Sequence, residues 1–385
     1  MKKCIVISDS FKGSLSSGEI CDLARESFAH ILPEWQVDCI PVADGGEGTV
    51  ACFHEVCGGE LVTVPVRGPL GQPMTADYLQ LSGGQAVIEM ASCAGLPLMG
   101  DRKDPCGAGT YGVGEQIRHA VERGNTRILL GLGGSATNDG GCGCAAALGV
   151  RFLDERGSAF VPTGGTLDRI RTVDVSAARE LLKNVELTAM CDIDNPMHGP
   201  TGAAYIFGPQ KGADPAMVEL LDGQLKALDR IFQKALDRQV ADVPGSGAAG
   251  AFGAGILALL DGRLCPGIQA VLDLVDFDRR LEGCELVITG EGRFDSQSIR
   301  GKVISGVSER ARVKKVPVVV IAGGIDPEME AAAGGELGIS AVFSINRQAM
   351  DYSQSRAFSR ENYRYTLDNI LRTLKLTRTE RITTP

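Results

Sequence analysis

Histidine is scarce: His30, His54, His119 and His198 are the only four in 385 residues, far apart in sequence. Paired cysteines are missing too, since twelve cysteines contain no CxxC spacing. Zinc ligands come in close pairs, so these two absences argue against a zinc site. No apolar run approaches the roughly 18 residues that a membrane helix needs. The richest stretch, AGAFGAGILALL at 249–260, is short and interrupted by glycine. At the N-terminus, MKKCIVISDSFKG offers four apolar residues between its lysines and Ser8, too few for a secretory leader. Cysteines placed singly within apolar runs (Cys4, Cys39, Cys191, Cys284) suit reduced, buried thiols and a cytoplasmic location. Positive charge is also short. The formal net charge of -9 argues against nucleic acid as a partner, while a locally basic pocket for a small anion stays compatible with it.

What is present suits a globular α/β protein. Hydrophobic residues make up 44% of the chain, and the length fits two domains. Strand-like and helix-like runs alternate, the pattern of a largely parallel sheet. CIVIS is followed by a helix over about 16–32, with Ser16 and Glu19 spaced as a capping box. Ile20, Leu23, Ala24, Phe28 and Ile31 give that helix one apolar face, and Pro33 ends it. QVDCIPVA is a second strand. Near the other end, ELVITG, VPVVVIAGG and AVFSIN read as strands, with a helix marked by Val303, Val307 and Ala311. The middle holds AVIEMA, a helix over 113–123, RILLGLGG, a helix into Leu148, VELTAMC and a long amphipathic helix over 215–236. The expected arrangement is a Rossmann-like parallel-sheet domain built from both chain ends, 1–60 and 275–385. An inserted second α/β domain takes 61–274. TRTERITTP reads as a frayed tail.

Between RILL and CGCAAAL stands GLGGSATNDGG, with five glycines in its eleven residues. Strand–turn–helix glycines can cradle phosphate at a helix N-terminus, or simply make a tight turn. Gly131-x-Gly133-x-x-Ala136 also has the loose dinucleotide spacing, which keeps a nicotinamide dehydrogenase in view. That spacing carries little information, because glycine is about one residue in eight. Chance alone gives roughly one G-x-G-x-x-G in such a chain, and two strict matches occur, at Gly107 and Gly245. The Walker pattern is absent: Gly301–Lys302 precedes valine, and Ser296 stands at its first glycine position.

Five loops after strands combine a carboxylate with small residues: SDSFKGS, ADGGEGT, GGSATNDGG, CDIDNP and TGEGRFDSQS. Asp and Gly populate turns for their own reasons. Yet strand C-terminal ends are where open α/β sheets hold ligands. Carboxylates for magnesium, cations for phosphate and a base for a hydroxyl are the parts of phosphoryl transfer.

Taken in order, SDSFKGSLS, PVADGGEGT, VRGPLG, GLGGSATNDGG, CDIDNP, IFGPQKGA, PGSGAAGAFGAG and ITGEGRFDSQS–GK resemble the type I glycerate kinase family along nearly the whole chain. The resemblance implies two α/β domains and phosphorylation of D-glycerate from ATP with Mg2+. It points to the 2-hydroxyl as acceptor. The implied partner is a small molecule, with no nucleic acid and no membrane, and a homo-oligomer stays compatible. Two positions depart from the family pattern: Ser8 stands where proline is common, and Asp194 where threonine is, which favours Asp192 as the essential acid of CDIDNP.

Chemistry then suggests roles. A carboxylate substrate calls for arginine, and Arg293 and Arg67 are the candidates. Lys12 and Lys302 would neutralise phosphate, and Asp9 and Ser10 would line the substrate. Asp192 is the first choice of base, with Asp44 and Asp9 as rivals. Glu47, Glu291 and Asp295 are the candidate magnesium contacts. Gly133, Gly134, Ser135, Thr137, Asn138 and Asp139 would line the nucleotide end, where Asn138 or Asp139 could equally cap the following helix. Lys211 in GPQKGA suits a loop that closes over substrate, and PGSGAAGAFGAG suits close helix packing. A ligand sensor without turnover is a third reading, opposed by the retained loop carboxylates.

Overall fold

The structure, a computed structural model, describes the chain except residues 1, 12, 43–44, 297, 299–301, 333–334, 336, 349 and 380–385. The strands run in chain order as β1 (Lys2–Ser8), β2 (Trp35–Pro41), β3 (Glu60–Arg67), β4 (Pro73–Leu81), β5 (Gln85–Glu89), β6 (Arg127–Gly131), β7 (Arg151–Leu153), β8 (Ala159–Phe160), β9 (Thr172–Asp174), β10 (Glu186–Met190), β11 (Arg263–Cys265), β12 (Cys284–Phe294), β13 (Val318–Ile325) and β14 (Ile339–Ser344). The chain divides into two compact units, one made of Met1–Ala43 with Ile268–Pro385, the other of Asp44–Gly267. The expected joins stood at 60/61 and 274/275. The earlier first join has a local cause. The helix Thr49–Cys57 is tied to the second unit, where Glu89 at the end of β5 accepts from Val50 N at 3.0 Å.

In the unit made of both chain ends, five parallel strands stand in the order β14-β13-β12-β1-β2. Counted within the unit this is 2-1-3-4-5, the flavodoxin-like variant of the doubly wound fold. The chain moves outward from β1 in one direction to β2 and in the other to β12, so the order reverses between β1 and β12. Buried on both faces, β1 is apolar at successive positions rather than alternate ones, as parallel strands between helices require. The helix Ser17–Ile31 starts on the expected capping box: Ser16 Oγ accepts from Glu19 N at 3.2 Å, and Glu19 accepts from Ser16 N at 2.9 Å. Its buried face includes Ile20, Leu23, Ala24, Phe28 and Ile31 and packs with Tyr363, Leu367 and Leu371. The helix Val303–Val313 packs against β1, β12 and β13. The helix Ser359–Thr379 runs into the stretch expected to fray, whose last six residues lie outside those described.

The inserted unit carries a six-stranded sheet in the order β11-β10-β6-β5-β4-β3. From β5 through β6 and β10 to β11 the strands are parallel, and β4 and then β3, the edge strand, continue the sheet antiparallel. A small antiparallel sheet, β8-β7-β9, stands apart. The long amphipathic helix spans Pro215–Leu236 with Asp214 as its cap. Leu225, Leu228 and Phe232 enter the same core as Phe252 and Ile256.

Candidate functional site

In the unit of both chain ends, the candidates cluster at the C-terminal ends of β1 and β12, where the strand order reverses and doubly wound sheets hold ligands. Asp9 N donates to Gly290 O at 2.9 Å, and Ser8 Oγ donates to the same oxygen at 2.9 Å. Asp9 turns its carboxylate back on the chain, accepting from Ser10 N at 2.6 Å. Glu291, one residue beyond Gly290, is only 7% exposed, and its Oε1 has no hydrogen-bond partner. Burial pushes this carboxyl up to about 7; Ser298 and Lys302 oppose the shift, and Asp9 and Asp295 add to it. Asp9, Glu291, Asp295 and Lys302 therefore share one electrostatic neighbourhood. Asp295 closes a turn with Ser298, accepting from its N–H at 3.3 Å. Arg293 is exposed and paired, its Nη2 2.7 Å from Asp326, so binding a substrate carboxylate means exchanging one carboxylate for another. Lys12 lies outside the described residues.

In the inserted unit, the glycine-rich loop follows β6 and leads into the helix Cys142–Leu148. Gly131 and Gly133 allow close backbone approach. Gly133 N donates to Gly45 O at 2.9 Å, and a Cβ on Gly133 would stand 2.6 Å from Gly46 Cα. Half of the dinucleotide-like spacing is thus accounted for by chain packing. Gly134 is exposed, and Ser135 forms an isolated bridge with Gly95.

The second half of the loop is buried. Thr137, Asn138 and Asp139 are each 0% exposed. Asp139 accepts from Thr110 N and Oγ1, both at 2.8 Å, from Gly143 N at 3.1 Å and from Gly141 N at 3.1 Å. Cys144 N donates to Thr110 Oγ1 at 2.8 Å. Burial raises the Asp139 carboxyl, and these hydrogen bonds oppose the rise. The amides at the start of the helix Cys142–Leu148 are therefore spent on the protein's own carboxylate and hydroxyl. The N-cap position itself falls to Gly141, not to Asn138 or Asp139 as expected, and Asp139 reaches the helix start from two residues earlier.

Other candidates are similarly engaged. Arg67 ends β3, stacks on Tyr111 with its guanidinium 4.0 Å from the ring centre, and lies 3.6 Å from Glu115. Asp192 is exposed after β10, and its Oδ1 accepts from Gly267 N at 2.7 Å, at the first residue of the helix Gly267–Leu274. Glu47 is exposed, and Asp44 lies outside the described residues.

Two residues of this unit give little signal in the sequence. Glu89 faces the start of the helix Thr49–Cys57. Burial raises its carboxyl, opposed by bonds from the amides of Val50, Thr49 and Gly48. The available signal was a carboxylate closing the apolar run AVIE. Lys211, expected in a loop that closes over substrate, is 2% exposed and donates to Thr137 O at 2.7 Å. A lone lysine in GPQKGA gives no hint of that burial.

The fold is that of a two-unit α/β protein with its candidate residues on loops that follow strands. The sequence model of the glycerate kinase family matches residues 4–375. Glycerate kinase of Bacillus cereus (strain ATCC 10987 / NRS 248) is 42% identical over 376 residues, covering 97% of this chain and 98% of that protein. Glycerate 2-kinase of Escherichia coli (strain K12) is 41% identical over 345 residues, covering 89% and 90%. A crystal structure from Salmonella typhimurium LT2, described as glycerate kinase 2, superposes with a TM-score of 0.84 at 38% identity, covering 98% of this chain and 99% of that one. The chain belongs to the glycerate kinase family.

Proposed function

We propose that this enzyme transfers the γ-phosphoryl group of ATP directly to the 2-hydroxyl of D-glycerate, with Mg2+, giving 2-phospho-D-glycerate. The observation that carries the reading is family membership along the whole chain, with a relative named as a 2-kinase among the matches.

Magnesium takes one or two carboxylates plus phosphate oxygens rather than a complete protein cage. Among the described residues no three acidic, histidine or cysteine side chains already form a metal-holding group. Glu291 offers a buried oxygen without a partner, and Asp295 lies in its electrostatic reach. These hard oxygen donors fit the ion, with Glu47 the candidate in the inserted unit. When bound, magnesium would offset charge on the donor phosphates.

The remaining roles fall to side chains. Arg293 exchanges Asp326 for the glycerate carboxylate, with Arg67 the second candidate. Asp9 and Ser10 line the substrate, and Lys12 and Lys302 offset phosphate charge. Asp192 takes the hydroxyl proton, with Asp44 and Asp9 as the other candidate bases. Gly133, Gly134 and Ser135 face the nucleotide, while Thr137, Asn138 and Asp139 shape the loop from behind. Because phosphoryl transfer depends mostly on positioning and charge, loss of the base costs less than loss of a phosphate ligand.

The test couples ADP formation to NADH oxidation in the presence of pure protein, ATP, Mg2+ and D-glycerate. Glycerate-dependent NADH loss is expected. Its absence from folded protein overturns the proposal.

A further inference from the structure

Thr137 and Asn138 are where three unfavourable features meet. The first is Lys211, in the turn Pro209–Lys211, whose buried ammonium donates to Thr137 O at 2.7 Å. Burial pushes this lysine down to about 7, opposed by the charge of Asp139. A lysine commonly stays in water, and burying its charge on a neutral acceptor costs stability. The second is Asn138 itself, fully buried with neither Oδ1 nor Nδ2 partnered, a further cost.

The third feature is the backbone that touches them. Ala249, Gly250 and Ala251 have φ of 54°, 69° and 68°, three successive left-handed residues at the start of the segment Ala248–Leu259. Alanine adopts this conformation only under constraint. A Cβ on Gly250 would collide with Thr137 O and stand 2.5 Å from Asn138 Cα. Gly250 O accepts from Gly140 N at 3.0 Å, and Ala249 O from Thr137 Oγ1 at 3.4 Å. Natural chains break local rules of this kind mainly at functional sites.

We propose that Lys211 is a positioning residue: through the Thr137 carbonyl, and with the left-handed turn behind it, it sets the backbone of the glycine-rich loop that receives the ATP phosphates. The inference rests on the kinase reading and adds to it a residue that reaches the nucleotide only through the loop. Stability is given up at Lys211 so that Gly133–Ser135 stand in one geometry, preorganised before the nucleotide arrives.

The discriminating experiment measures thermal unfolding and steady-state kinetics of Lys211→Met. The expected result is a melting temperature several degrees above that of the parent, with kcat/KM for ATP at least tenfold lower and KM for D-glycerate within twofold. A purely structural lysine gives the opposite pattern: a lower melting temperature with kinetics per folded molecule unchanged. That pattern, unchanged ATP kinetics at any stability, or failure to fold overturns the proposal. Asn138→Leu replaces the unpaired amide with an apolar group of similar size, and the same two shifts are expected of it. Unchanged ATP kinetics in that variant also overturn the proposal. If the parent protein itself shows no glycerate-dependent turnover, the kinase reading fails instead.

Discussion

Asp139 grips Thr110 twice, accepting from its N–H and from its hydroxyl at 2.8 Å each. Thr110 immediately precedes the helix Tyr111–Glu122, so one buried carboxylate joins that helix start to the start of Cys142–Leu148. Replacing Asp139 with alanine leaves at least three buried donors without an acceptor, and an unmet buried donor costs about 1–3 kcal/mol. The melting temperature of Asp139→Ala is expected to fall by roughly 5–10 °C, measured by calorimetry. A fall under a degree or two contradicts the joining role.

Gly250 predicts a steric effect. An added methyl meets backbone at Thr137 and Asn138, and the position already has φ +69°. Gly250→Ala is expected to lose about 2–4 kcal/mol by denaturant titration, with weaker ATP binding. A neutral result would mean that the loop yields easily.

Lys211 also predicts a pH dependence. Its folded-state value of about 7 lies below the ordinary 10.5. Between those limits the unfolded chain binds more protons at this residue than the folded one, so its contribution to stability rises with pH. The full stability is present above 10.5 and is lost as pH falls through about 7. Lys211→Met is therefore expected to be more stable than the parent at and below neutrality, by on the order of 3–5 kcal/mol. That advantage fades toward alkaline pH. Urea titrations of both proteins over this range check it, and a pH-independent difference contradicts it.

Much of this was readable from residue order. The capping box of Ser16 and Glu19 is local, and so are the apolar runs that became β1, β12 and β13. What was not readable depends on partners distant in sequence. Lys211 looks like a surface lysine until the carbonyl of Thr137, 74 positions away, accepts its hydrogen bond. Glu89 caps the helix Thr49–Cys57 from another strand. The left-handed run at Ala249–Ala251 breaks alanine's own preference and is held by Gly140 and Thr137. The strands β7, β8 and β9 have two or three residues each, too few for a period to show. The glycines of Gly131–Gly141 were legible as a signal but ambiguous in cause, since Gly131 and Gly133 serve packing against Gly45 and Gly46.

Arg293 separates stability from binding. Its guanidinium is exposed while Asp326 is only partly so, and pairs open to water on one side contribute about 1 kcal/mol or less. Arg293→Ala is expected to keep its melting temperature and to raise KM for D-glycerate about tenfold or more. An unchanged KM would place the carboxylate clamp elsewhere, with Arg67 the next candidate. Asp192→Asn is expected to lower kcat by about 10²-fold with folding retained, and normal turnover would remove Asp192 as the base.

The most direct measurement supplies the protein with ATP, Mg2+ and D-glycerate, then adds enolase alone and follows phosphoenolpyruvate. Formation without a mutase is the expected result, because the 2-phosphate is the enolase substrate. ADP release with no phosphoenolpyruvate would contradict the 2-hydroxyl assignment. No glycerate-dependent ADP at all would contradict the kinase itself.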